Sequence, residues 1–402
     1  MNSRARALLA IGGVVLSLGC NDRAPELGPL STTCIAQVTG TYDSVLLAQL
    51  DDSTLWIATS TSQFAAVADS NGEPLRGTDS AASGSSAYGA AVGCAIADGV
   101  YCFPLAGPLS DTAGLGGGLA SASSSAATRV VTGPGNDAEP LTNATQIAGG
   151  MNGSGATFCA VTSDGRVWCW GDNTNGLLGR ADDQSSSYAR PVSSTRGTEL
   201  TDAVEVRVGF DSACARLADG SVRCWGNNQV GQLGARIGEV VESSYPLTVP
   251  LPTAAARLAA SPGNTHCAIL EDTRVACWGR NEFAQAGAMS DQQTVEPTIV
   301  QTALEGADFS AVVDLAPDRG MRAMCANTQN AGLWCWGDVL DDDPTGVGSP
   351  YPVQLATSPQ GRISVPLSAY GALDGKLIYV NANGRLVLGA GGMPSSRQPP
   401  CP

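Results

Sequence analysis

An all-β fold assembled from repeated sheets is what this sequence predicts, and three observations carry the prediction. The first is internal repetition. "CAVTSDGRVWCWGDNTNGLLG" at 159–179 recurs nearly letter for letter as "CARLADGSVRCWGNNQVGQLG" at 214–234, as "CAILEDTRVACWGRNEFAQAG" at 267–287 and, less regularly, as "CANTQNAGLWCWGD" at 325–338. A repeat of this kind is read before any single motif, because each copy is then one structural unit. The second is the character of the copies: runs such as "RVWCW" and "SVRCW" are β-branched and aromatic and are bounded by turn residues. The third is spacing. With three degenerate copies at 47–58, 94–103 and 378–389, the units begin at 47, 94, 159, 214, 267, 325 and 378, about 55 residues apart. Each interval has room for a strand opening with proline ("RPV" at 190, "YPL" at 245, "EPT" at 296, "YPV" at 351) and for one more apolar segment, such as "AVEVRVG" at 203–209. Four short antiparallel strands per unit, arranged radially so that few sheet edges stay open, predict a seven-bladed β-propeller.

The chain opens differently. "MNSRARALLAIGGVVLSLGC" carries Arg4 and Arg6, an apolar stretch from Ala7 to Leu18, then Gly19 and Cys20, which reads as a signal peptide over 1–19. A cysteine after a small residue resembles the lipobox of bacterial lipoproteins, and that resemblance implies lipidation of Cys20. The lipobox prefers leucine three positions before the cysteine, where this chain has Ser17. Residues 20–40 are then a lipidated N-terminus and tether, and 41–402 form the propeller. Simple secretion and an uncleaved anchor are the other readings of the same segment.

The propeller elements follow in order. Hairpins are expected near 47–58, 94–103, 159–171, 214–226, 267–279, 325–337 and 378–389. Opposing Cys159 to Cys169 leaves Ser163-Asp164-Gly165 as a three-residue loop, which favours glycine in the left-handed region at its end. Ala218-Asp219-Gly220, Ala97-Asp98-Gly99 and Ala382-Asn383-Gly384 follow the same rule, and Glu271-Asp272-Thr273 departs from it. Leu47, Ile57, Ile378 and Leu388 stand where the cysteines do elsewhere. The stretch from 106 to 141, rich in glycine and serine, interrupts the repeat and reads as a mobile loop or a loosened strand pair, not a linker between domains. Trp170, Trp225, Trp278 and Trp336, each after a second cysteine, read as packing between blades.

Export sets the chemistry of the thirteen cysteines. Outside the cytosol they are expected in disulfides. Directly opposed hairpin positions pair Cys94 with Cys102, Cys159 with Cys169, Cys214 with Cys224, Cys267 with Cys277 and Cys325 with Cys335. With Cys20 lipidated, Cys34 and Cys401 remain, and pairing them joins the two ends of a closed ring. Zinc is disfavoured by the spacing and by the presence of a single histidine.

The run "CAx…DGxVxCWGxNxxGQLG" resembles the repeat of the regulator of chromosome condensation family, which is made of seven-bladed propellers and includes secreted bacterial relatives. The match covers roughly 42 to 392 and is most specific in the third to fifth units. In the eukaryotic founder the resemblance implies chromatin binding and nucleotide exchange on a small GTPase. Charge argues against that role here. The chain has 22 basic and 37 acidic residues, and without the two arginines of the signal the balance is 20 minus 37, or −17. Such a surface repels phosphates, so no nucleic-acid partner is expected.

Catalytic and cofactor readings are poor. The one histidine, His266, falls at a repeat position occupied elsewhere by Phe158, Ala213, Met324 and Gly93, which points to packing. "DDDPTG" at 341–346 places Asp341, Asp343 and Thr345 as in a calcium loop, but position twelve is Pro352 where a glutamate is needed. Calcium is thus a weak candidate, and no other metal, cofactor or catalytic group is expected. The hairpin tips Asp52, Asp98, Asp164, Asp219, Asp272, Asn330 and Asn383 are explained by turn chemistry. Binding is better sought in the variable loops after the "GxLG" turns, with Tyr188, Arg190, Tyr245 and Tyr351 as candidate contacts. The expected function is a lipid-anchored interaction module at the bacterial cell envelope, at the outer membrane, in the periplasm or on the surface, with a protein or another envelope macromolecule as partner. A secreted inhibitor resembling a propeller-type β-lactamase inhibitor is the alternative, and an enzyme acting on polysaccharide the third reading.

Overall fold

The computed structural model describes most of residues 35–106 and 126–357, together with Gly116 and the strands at 371–373, 376–380 and 386–389. Among these residues, sheets of four antiparallel strands span 35–66, 81–129, 144–191, 203–248, 255–299 and 312–357, and a three-stranded sheet spans 371–389. Within each, every strand pairs with the next in sequence, so each sheet is a simple meander. A small two-stranded ribbon, Ser193–Thr195 with Thr198–Glu199, follows the third sheet. First strands lie beside first strands: Ala144–Met151 packs on Ala203–Val208, that strand on Ala255–Ala260, and that one on Val312–Pro317. Ile35–Gly40 lies beside both Ala81–Ser85 and Gly371–Leu373, which brings the first and last sheets together.

The hairpin register follows the repeat. Cys94, Cys159, Cys214, Cys267 and Cys325 are directly opposite Cys102, Cys169, Cys224, Cys277 and Cys335, and all five pairs are disulfide-bonded. In the degenerate units the same register pairs Leu47 with Ile57 and Ile378 with Leu388. Gly165 and Gly220 take the left-handed conformation at φ 78° and 79°, and Thr273 takes it at φ 67° without being glycine. Gly99 does not: its φ lies outside that region, and the shorter hairpin closes through Ala97 N–H to Gly99 O at 2.7 Å. The insertion after the second hairpin contains that sheet's fourth strand, Thr128–Arg129, paired with Cys102 and Tyr101.

The core lies between sheets. Trp170 packs among Val92, Cys94, Val100 and Leu141 of the preceding unit, and Trp225 among Val161, Val167, Leu177 and Val192. Trp278 and Trp336 occupy the corresponding clusters one and two units later, and all four indoles are fully buried. A buried indole needs a partner for its N–H. Trp225, Trp278 and Trp336 donate to Leu177 O, Gln232 O and Gln285 O of the preceding unit at 2.8, 3.1 and 3.0 Å. The glycine after each tryptophan is also dictated by geometry: Gly226 sits at φ 106°, and a Cβ there would lie 2.5 Å from Asp211 O.

Candidate functional site

The two ends of the sheets are finished differently. At one end each hairpin turn holds the first strand of the next sheet. Gly165 O accepts from Ala203 N–H at 2.9 Å, Gly220 O from Ala255 N–H at 2.8 Å and Thr273 O from Val312 N–H at 3.2 Å. The aspartates at these tips serve the turns. Asp164 accepts from Arg166 and from the Thr162 hydroxyl, and those hydrogen bonds hold its carboxyl down at about 2. Asp272 accepts from Arg274, Asp219 from Ser221 N–H, and Asp98 from Arg129 and Tyr101. Turn chemistry accounts for these four tips.

At the opposite end lie the loops between third and fourth strands, and each is built around a buried asparagine from the "WGxN" letters. Asn173, Asn228 and Asn281 accept at Oδ1 from the N–H five residues ahead (Leu178, Leu233 and Ala286) at 2.8, 2.9 and 2.9 Å. Their Nδ2 groups donate to carbonyls further along, on Asp182, on Ala235 and Val240, and on Ala288 and Met289. These loops rest on the next sheet's outer strand or on the residue before it: Gly176 is against Ser244, Gly231 near Val295 O, and the Phe283 carbonyl against Gly348. They therefore form one surface whose frame is fixed and whose exposed residues differ.

Tyr188, Arg190, Tyr245 and Tyr351 border this surface, but they belong to the outer strands Ser186–Pro191, Glu242–Thr248 and Ser349–Thr357 instead of the loops themselves. These strands do not open with their prolines as expected: Pro191 is the last residue of its strand and Pro246 and Pro352 lie inside theirs, because an edge strand tolerates a missing N–H. Each tyrosine backbone is held by a serine two residues earlier: Ser186, Ser243 and Ser349 donate to the carbonyls of Tyr188, Tyr245 and Tyr351 at 2.6, 2.7 and 3.1 Å. Arg190 Nη1 pairs with Asp182 Oδ2 at 2.8 Å, while Arg180 Nε donates to the same carboxylate at 3.1 Å. Arg180 is buried, its Nη2 donates to Gln184 O at 3.0 Å, and its Nη1 has no hydrogen-bond partner. Burial first, and the neighbouring Arg190 charge second, bring Arg180 down to about 10. The loop sequence alone did not single out Arg180 or Asp182.

His266 is a core residue. It is 1% exposed, stacks on Trp278 with ring centroids 5.9 Å apart, and has Nε2 at 2.7 Å from Ser212 Oγ in the preceding unit. Desolvation pushes it down to about 4. Another set of residues that sequence reading missed occupies one position on successive first strands. Gln146 exchanges two hydrogen bonds with Val206, at 2.8 and 3.0 Å. Glu205 accepts from Leu258 N–H at 3.2 Å and from Arg216 at 3.0 Å, and Arg257 reaches Asp314 at 3.2 Å. Cys20, Cys34 and Cys401, the acidic group Asp341, Asp343 and Thr345, and the tips Asp52, Asn330 and Asn383 lie outside the described residues.

Repeated four-stranded antiparallel meanders joined side by side through buried tryptophans define an all-β propeller protein. The repeat of the regulator of chromosome condensation (RCC1) family matches residues 153–177 and 203–232. Among characterised proteins, mouse E3 ubiquitin-protein ligase HERC2 is 32% identical over 166 residues, 41% of this chain and 3% of that protein. The Arabidopsis thaliana ultraviolet-B receptor UVR8 is 28% identical over 191 residues, 46% of this chain and 40% of the receptor. The chain thus spans less than half the length of these relatives. In fold it is similar to human WBSCR16, with TM-score 0.56 and 19% identity over 79% of this chain and 82% of that one. It is also similar to Prp20p of Saccharomyces cerevisiae, with TM-score 0.55 and 15% identity over 86% of this chain and 82% of that one; the structure of Prp20p was described with its binding to Gsp1p and histones.

Proposed function

We propose that this chain is an exported, lipid-anchored propeller that acts as a protein-interaction module at a bacterial cell envelope. The observation that carries the binding reading is the surface of loops after the "GxLG" turns. Asn173, Asn228 and Asn281 brace equivalent loops in the same way, while the residues those loops display change from unit to unit. A constant frame with variable contents suits recognition of another macromolecule. Interaction is also what the RCC1-type relatives suggest, since the Prp20p structure was described with its protein partners. Export is supported by five disulfides, a chemistry of oxidising compartments, together with the Arg-apolar-Gly19-Cys20 leader. Lipidation rests on Cys20, and closure of a seven-bladed ring on the approach of Ile35–Gly40 to Gly371–Leu373.

Two experiments test this reading. Cys20→Ser should move the protein from the membrane to the soluble fraction and remove an acyl-dependent mass increment; a wild-type N-terminus free of acyl chains refutes the anchor. Capture from the native envelope should recover a protein that is lost when the loops at 180–185, 235–241 and 288–293 are exchanged for serine-glycine linkers of equal length. Recovery independent of those loops refutes the assigned surface.

A further inference from the structure

We propose that the third unit carries a carboxylate-binding site formed by Arg180 and Arg190, with Tyr188 at its edge. The inference rests on the interaction reading and deepens it by naming the chemistry that this part of the surface recognises. The repeat itself draws attention to the site. The residue after the "GxLG" turn is Ala235 in the fourth unit and Ala288 in the fifth, both packed against the apolar core, and Arg180 in the third. On the outer strand, the residue opposite the second cysteine is Leu247, Thr298 or Val353 in the next three units and Arg190 in the third. Two positions that the fold fills with small or uncharged side chains thus both carry guanidinium groups here, in the same loop-and-strand pair. A departure from an otherwise consistent local pattern is where function is expected to show.

Charge and hydrogen bonding indicate what the pair takes. Both arginines share one carboxylate, that of Asp182, so the local cluster of the two arginines and Asp182 keeps one positive charge in a chain of net charge −15. Arg180 has 4% of its side chain exposed, and its Nη1 donor is unfilled; leaving a buried charged donor unpaired is costly. Arg190 keeps 37% of its side chain exposed and gives one nitrogen to Asp182, so it is the group a ligand meets first. Tyr188 stands two residues before Arg190 on the same outer strand, at the border of the pair. A planar monoanion fits this arrangement: a carboxylate presents two oxygens to a guanidinium fork and balances the single remaining charge. A polyanionic phosphate is opposed by the acidity of the whole chain. The ligand class is therefore a carboxylate, an aspartate or glutamate side chain of a partner protein or a free small acid, docking on Arg190 and reaching Arg180 directly or through one water.

The test uses the full oxidised chain labelled with 15N-arginine and titrated at constant ionic strength with acetate, with phosphate, and with an amidated peptide carrying one glutamate. Acetate should shift the Arg190 and Arg180 Nε–H resonances saturably. The peptide should bind more tightly than acetate if the natural ligand is a protein side chain, and no more tightly if it is a free acid. Arg190→Gln, an exposed change that should leave the melting temperature within a few degrees, should weaken binding about tenfold or more. Arg180→Met, which restores an uncharged residue at the alanine position, should abolish it. An unsaturable shift, equal responses to phosphate and acetate, or unchanged binding in Arg190→Gln overturns the proposal. Because no partner protein enters the titration, its failure leaves the module reading standing, and failure of envelope capture leaves the carboxylate site standing.

Discussion

At the scale of single residues, the buried polar groups decide how the protein responds to its surroundings. His266 is held near 4 by desolvation, below the usual 6.5 of an exposed imidazole, so the unfolded chain takes up a proton before the folded one does. The folded state is therefore destabilised progressively as pH falls from about 6.5 to about 4 and no further below that, by roughly 3 kcal/mol in all. Phe158 fills the equivalent position in the third unit, so His266→Phe should fold and lose this component of the pH dependence. Urea unfolding of both proteins at pH 7 and pH 4.5 checks it: an equal loss of stability in the two places the acid sensitivity elsewhere. Ser212, the hydroxyl at 2.7 Å from Nε2, loses its histidine partner in that variant, so the comparison is best made also with Ser212→Ala in the same background.

At the scale of the strand and hairpin, two kinds of link join the sheets, and they were not equally legible. The tryptophan and cystine links could be read because the repeat spells them with the same letters each time: "CWG" fixes a disulfide, an indole directed into the preceding unit and a glycine whose conformation no side chain tolerates. The link along the first strands could not. Gln146, Glu205 and Arg257 hold one register position and all reach the next sheet, but an amide, a carboxylate and a guanidinium share no letter. Arg180 was half hidden: the repeat shows arginine where the next two units have alanine, but that it is buried, and so not an ordinary surface arginine, is a tertiary property no letter carries. Gly99 shows the opposite limit, since Asp-Gly was read as a left-handed turn and the shorter hairpin closes without one. Gln146→Leu removes both side-chain bonds to Val206 and leaves a buried N–H and C=O without them. A loss of about 2 kcal/mol is expected. Hydrogen exchange at Val206 should quicken more than exchange at Cys224; uniform quickening across the fourth sheet counts against a local link.

At the scale of the whole molecule, the approach of the first and last sheets leads to a prediction about Cys34 and Cys401. Cys34 immediately precedes the first strand and Cys401 follows the last, so a bridge between them would fasten the ring at its seam. Closing so long a loop contributes about 5 kcal/mol in the chain-entropy account. Non-reducing peptide mapping should recover Cys34 joined to Cys401, and the double serine variant should melt earlier with the five hairpin bridges intact. Cys34 joined to a hairpin cysteine, or both thiols free, contradicts the seam. The backward reach of the tryptophans has a different consequence, one of time. A polypeptide is made from its N-terminus, and Trp225 completes the hydrophobic cluster of a sheet that ends at Pro191, some thirty residues earlier. Each of the third to sixth units therefore finishes its predecessor while its own core waits for the following one. Assembly advances with one unsealed face at the growing end and one on the first sheet, which stays open until the last sheet arrives, so the sticky surface of a nascent chain does not grow with the number of units.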